Sequence, residues 1–86
     1  MITNELISEY LISELNWPNK ETIPIVRVNK FTNRTNDSIY VDHDILFKKY
    51  NSDKLYQYMT SIVYIIYLTD IRDFLRDKNL NYIVND

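Results

Sequence analysis

Residues 52–75, SDKLYQYMTSIVYIIYLTDIRDFL, are the longest run of periodically placed apolar residues in the 86-residue chain, and their reading decides the fold. Leu55, Met59, Ile62 and Ile66 recur at helical spacing, with Tyr58 and Ile65 widening the stripe. This periodicity predicts one amphipathic helix over residues 53–77, about 37 Å long at 1.5 Å per residue. Within it, residues 62–68, IVYIIYL, are apolar all round, which a helix tolerates only when it is covered on more than one side. A second covering surface is therefore implied, and in so short a chain another subunit can supply it. A second reading makes the β-branched IVYIIYL a third strand and starts a separate helix, IRDFLRDK, at Thr69-Asp70. The continuous or kinked helix is the preferred one.

Upstream, residues 38–50, SIYVDHDILFKKY, alternate clearly and predict a strand. Ile39, Val41, His43, Ile45 and Phe47 face one way, and Asp42, Asp44 and Lys48 the other. Residues 23–31, IPIVRVNKF, predict an earlier strand, with Pro24 near its start, where a missing N–H is tolerable. Val26 and Val28 share one face; Ile25, Arg27 and Phe31 share the other. The intervening TNRTND, residues 32–37, holds turn formers and Arg34 and predicts a hairpin loop. Asn33 and Asn36 each head a glycosylation triplet, a pattern with little weight when no signal peptide is seen.

Residues 4–15 predict a helix capped by Thr3 or Asn4, with Glu5 in its first turn and Leu6, Ile7, Tyr10, Leu11 and Leu15 on its buried face. Asn16-Trp17-Pro18-Asn19 ends that helix, and Trp17 is expected to pack its end against the sheet. Asn51-Ser52-Asp53 supply a turn and a cap, and residues 80–84, LNYIV, predict a short edge strand. The expected fold is one α+β domain over residues 1–86. It comprises an N-terminal helix, an antiparallel β-hairpin sheet, a long helix packed across the sheet, and a short C-terminal edge strand.

Composition bounds the function. A hydrophobic fraction of 45% and an aromatic fraction of 14% belong to a folded chain, and 86 residues allow one modest core. Twelve acids against ten bases give a net charge of -2, neither a nucleic-acid footprint nor a DNA mimic. Without cysteine there are no disulfides or thiolate metal sites, and intracellular synthesis is the default. The first residues carry acids and no basic n-region, and no apolar run approaches the ~20 residues of a membrane span, so a soluble, unprocessed protein is expected. The chain has no glycine, which removes glycine-dependent phosphate loops and leaves the turns to Asn and Asp.

Asp42-His43-Asp44 is the cluster that most resembles a site, because imidazole and carboxylate serve as ligands and as acid-base groups. Adjacent strand residues point to opposite faces, and one histidine without cysteine makes a poor zinc site. His43 therefore reads as structural. No nucleophile elbow is present. Tyr56, Tyr64 and Tyr67 lie along one side of the expected helix among non-basic neighbours, which favours core and interface packing over base stacking. Lys48, Lys49 and Lys54 read as a solvated rim. No enzyme activity, cofactor, metal, small-molecule substrate, nucleic acid or membrane is expected.

The order of a helix, a strand ending PIVRVNKF, a polar hairpin, a strand containing VDHDILF and a helix beginning SDKLYQYM resembles the tail-terminator and tail-completion proteins of long-tailed bacteriophages. Their Pro-hydrophobic-Val-x-Val pattern is matched by residues 24–28, and their alternating second strand by residues 41–47; the likeness spans residues 23–67. The chain departs from that family in its glycine-free hairpin and in having LNYIV where two further strands are usual. The resemblance implies a non-enzymatic homo-oligomer, a ring of about six copies that halts tail-tube growth and meets the head connector and other phage structural proteins in the virion. Ile62, Tyr64, Tyr67 and Leu68 would then face neighbouring subunits, and Asn33, Arg34, Asn36 and Asp37 the tube. The alternative is a small phage or mobile-element inhibitor or adaptor that binds a host protein in the bacterial cytoplasm. Oligomeric state separates the two.

Overall fold

The computed structural model describes the backbone of residues 2–85 and the side chains of residues 2–77. Its elements run α1 (Asn4–Glu14), β1 (Thr22–Thr35), β2 (Ser38–Lys49), β3 (Tyr56–Tyr67) and α2 (Leu68–Asn85). The three strands form one antiparallel sheet in the order β1-β2-β3. The fold is a small α+β domain in which strands dominate.

The α1 helix starts where the sequence places it. Thr3 is extended and its Oγ1 accepts a hydrogen bond from the Leu6 amide at 3.1 Å, satisfying one of the orphan donors of the first turn. Leu6, Ile7, Tyr10 and Leu11 are buried. The helix lies on β1, with the Ser8 hydroxyl donating to the Val26 carbonyl at 2.8 Å. Trp17 turns its ring onto Phe47 and Tyr58, and its Nε1 donates to Thr22 Oγ1 at 2.9 Å, so it fastens the helix end to the sheet as expected.

The decisive stretch corrects the preferred reading. No long helix crosses the sheet; residues 56–67 are a strand, and α2 begins only at Leu68. Nine of the twelve β3 residues are β-branched or aromatic, the types that fit a pleated surface. The helical stripe has a structural origin. β3 pairs His43 with Ile62 but Ile45 with Met59, so Thr60 and Ser61 together oppose the single residue Asp44. The extra residue stretches a two-residue repeat to three, which puts Met59 and Ile62 on one face at a spacing that mimics a helix turn. Ser61 itself sits at φ 52, in the left-handed region where this glycine-free chain has to use another residue.

Two further expectations are corrected. Residues 80–84 continue the backbone of α2 and form no edge strand, because α2 follows β3 without a break and runs to Asn85. The hairpin loop shrinks to Asn36-Asp37, since β1 continues through Asn33 and Arg34 to Thr35. Thr35 Oγ1 accepts from the Asp37 amide at 3.1 Å and lies 2.8 Å from the Ser38 hydroxyl, a local side-chain turn that replaces glycine chemistry. At the other strand connection Asn51 takes the positive φ of 66.

One face of the sheet is the core. Val26, Ile39, Val41, Ile45 and Ile66 join Leu6, Ile7, Tyr10 and Leu11 of α1 and Ile71 of α2 in a single buried cluster, with Val28, Phe31, Ile62, Phe74 and Leu75 packed against it. α2 docks on α1 through an edge-on contact of Phe74 with Tyr10, ring centroids 5.6 Å apart. The principal extents of 36 × 36 × 19 Å leave room for two layers, one sheet and one layer of helices, and among the described residues no helix or strand packs on the second sheet face.

The alternation on β3 is directly measurable. Ile66 is 1% exposed and Val63 61% exposed. Ile66→Ala is expected to cost about 2–5 kcal/mol and Val63→Ala to stay within about 0.5 kcal/mol, measured by urea unfolding. A helix over the same residues predicts no such contrast.

Candidate functional site

β3 is an edge strand. Its inner side pairs with β2, and its outer row of backbone N–H and C=O groups has no strand partner among the described residues. Beyond the bulge, over residues 62–67, the side chains on both its faces are apolar, and all but Ile62 and Ile66 are exposed. Toward the helices, Met59 and Tyr64 are exposed beside an apolar groove of about 200 Å³ that Leu11, Leu15, His43 and Ile62 also line. The groove exists because α1 lies over β1 and leaves the β3 side of the sheet bare. On the uncovered face, Val63 and Ile65 stand opposite Asp42 and Tyr40, and Tyr40, Val63 and Ile65 are exposed. Pockets that hold small ligands run to roughly 300–1,000 Å³. The groove beside Met59 falls below that range.

A buried carboxylate holds the bulge that shapes this edge. Asp44 Oδ1 accepts a hydrogen bond from the Ser61 amide at 2.8 Å, and Oδ2 accepts from Arg27 Nη2 at 2.8 Å. The Ser61 amide faces β2 where the bulge interrupts the ladder, so the carboxylate supplies the missing acceptor. The bond to the Ser61 amide, then the Arg27 guanidinium, hold the Asp44 carboxyl below the usual aspartate range, against the opposing effect of burial. Arg27 is 58% exposed while the Asp44 side chain is 6% exposed, so solvent screens the ion pair and the amide contact carries the geometry. Asn29, the extra residue where β1 bulges against β2, donates to Asp42 at 3.4 Å on the same face.

The eight residues singled out from the sequence fall into two groups. Asn33, Arg34, Asn36 and Leu68 line one shallow pocket, and the Leu68 amide donates to the Asp37 carbonyl at 2.7 Å. Tyr67 pairs with Ser38 beside them, so six of the eight meet at the hairpin end of the sheet. Ile62 and Tyr64 lie along β3, away from the hairpin, on the groove side. Met59, Val63, Ile65 and Tyr40, apolar and exposed on or beside β3, are not among those eight. A charge-free run of β-branched residues next to an alternating strand was the available signal.

His43 is 4% exposed with its Nδ1 3.4 Å from the Val41 carbonyl, and Asp42 and Asp44 lie across the sheet from it. The Asp-His-Asp run is therefore split between two faces. Tyr56 is stacked on Phe47, with Lys49 and Lys54 over its ring, which places these lysines at the start of β3. Tyr10 is shifted up by burial first, then by Glu14, Asp70 and Tyr64. Among the described residues no cluster of His, Asp or Glu has a metal-binding arrangement, and no helix is long and apolar enough to cross a membrane. Comparison of the chain with protein-family models, curated proteins and solved structures gives no match.

The Asp44 contacts make stability depend on pH with a defined sign. A depressed folded-state value means the stabilisation is complete above the unfolded value of about 3.9 and is lost as pH falls through the folded one. Urea midpoints between neutral pH and pH ~2 are expected to fall for the wild type below about pH 4. Asp44→Asn, which still offers the Ser61 amide an oxygen, is expected to show a shallower fall.

Proposed function

We propose that the chain is a non-enzymatic assembly protein that works by docking β3 against another protein chain. The observation that carries this reading is an uncovered strand, Tyr56–Tyr67, without a single charged residue or proline. Edge strands in soluble proteins are commonly defended by lysine, proline, bulges or a covering element. Of these devices β3 has the Thr60-Ser61 bulge and a second irregularity at Tyr58, which leave residues 62–67 uninterrupted. Strand addition to such an edge takes affinity from backbone hydrogen bonds and specificity from the flanking side chains.

The tail-terminator ring is one form that this docking takes, with localisation in a virion. The β1–β2 hairpin, its Pro24 strand and the alternating β2 support it, while the absence of a long helix after β2 removes one of the features on which the resemblance rested. A ring requires head-to-tail contacts, so β3 would meet a different surface on the next subunit. The small inhibitor or adaptor of a host protein is the second form, favoured by the same exposed strand used toward a foreign chain.

Light scattering over a wide concentration range tests the proposal. The wild type is expected to exceed its chain mass of 10.4 kDa, and Val63→Lys to remain folded by circular dichroism and return to that mass. Assembly that is unchanged in Val63→Lys overturns docking through β3. A wild type that is monomeric throughout removes the assembly reading in favour of the adaptor.

A further inference from the structure

We infer that the occupant of the β3 edge is a second copy of this chain, paired antiparallel through residues 62–66 about a two-fold axis at Tyr64, giving a continuous six-stranded sheet. The inference rests on the assembly reading, adds the partner and its geometry, and puts a closed pair in place of the head-to-tail ring.

The two edges of the sheet differ in the way that matters. β1 carries Pro24, which donates nothing to a ladder, and bulges at Asn29 and Arg34. Arg27, Lys30 and Arg34 give it three positive charges, so two β1 edges repel each other. β3 is uncharged from Tyr56 to Tyr67 and meets no such penalty against itself. A strand placed antiparallel to its own copy also keeps the faces in phase. Ile62, Tyr64 and Ile66 stay on the helix side, where the partner's Tyr64 can enter the groove beside Leu11 and Leu15. Val63 and Ile65 extend the apolar patch on the open face beside Tyr40.

The charges beyond the strand ends are complementary in this arrangement. Lys49 and Lys54 stand over Tyr56 at the start of β3. At its other end, Asp70, Asp73 and Asp77 of α2 line a groove with Glu14 of α1, where Arg76 pairs with Asp73 and leaves the other three carboxylates in excess. Antiparallel pairing brings the basic end of each copy toward the acidic end of the other, twice per dimer. A parallel pairing would set lysines against lysines. The isologous contact uses up both β3 edges and leaves outward the charged, proline-containing β1 edges, so the assembly closes at two. Stable interfaces bury about 1,200 Å² or more in total, and residues on both faces of β3 contribute to that area along with the backbone ribbon.

The absence of cysteine makes the test direct, because a single introduced thiol reports only on its own surroundings. Tyr64→Cys under mild oxidation is expected to give a covalent dimer in high yield, read by non-reducing electrophoresis. Lys30→Cys on β1 is expected to give only background cross-linking, and Val63→Lys added to Tyr64→Cys to abolish the covalent dimer. The wild type should weigh twice the chain mass in light scattering. Absence of the Tyr64→Cys dimer, or equal yields at Tyr64 and Lys30, overturns the two-fold pairing. If Val63→Lys still dissolves the assembly in that case, docking through β3 stands and only its geometry falls. If Val63→Lys leaves assembly intact, both fall. A wild type that stays monomeric until a different chain is added also overturns the self-pairing.

Discussion

Two helices on one side of a three-stranded sheet cannot cover both its faces and both its edges, and the rest of this structure follows from that shortage. α1, with 11 residues, spans the width of β1 and part of β2, and α2 reaches the core mainly through Ile71. Ile66 at one end of β3 is sealed beneath them, whereas Val63, three residues earlier, stays in water. Burial of a large apolar side chain contributes about 1.5–3 kcal/mol, and ordering each backbone residue costs about 1–2. A chain with many large side chains left exposed forgoes a substantial share of its possible stabilisation, which the proposed pairing of β3 would recover.

The bulge at Thr60-Ser61 links the local chemistry of the sheet to this surface. It exists because Asp44, buried between β1 and β3, accepts the Ser61 amide and the Arg27 guanidinium at once. By ending the regular ladder there, it confines an unbroken edge to residues 62–67. Asp44 thereby sets how much of β3 is available to pair. The Asp37–Leu68 bond does similar work at the far end, tying the hairpin turn to the start of α2.

Much of the fold was legible in the sequence. The capped helix from Asn4, the alternation of Ile39, Val41, His43 and Ile45, the placement of Trp17 and the use of Asn for turns all follow from short-range rules that the structure obeys. β3 was misread because a strand that is apolar on both faces shows no alternation, and because its bulge converts the strand repeat into the Met59–Ile62 spacing of a helix. The hairpin is shorter than its composition suggests because Asn33, paired with Ile39, and Arg34, the bulge residue whose Nη1 donates to Ser38 Oγ, are held in β1 against a strongly patterned β2. The Asp44–Ser61 contact joins residues 17 apart through that same bulge, and no local pattern announces it. Ile62 and Tyr64 are legible as candidates from their apolar surroundings, while Val63 and Ile65 belong to a face that exists only once the segment is a strand.

Amide hydrogen exchange measured as a function of protein concentration tests the central claim most directly. Protection along residues 62–67 is expected to rise with concentration while that of α1 and of β1 stays constant, because only the β3 edge gains backbone partners on assembly. Protection of β3 that is independent of concentration, or that changes equally in β1, would contradict the account.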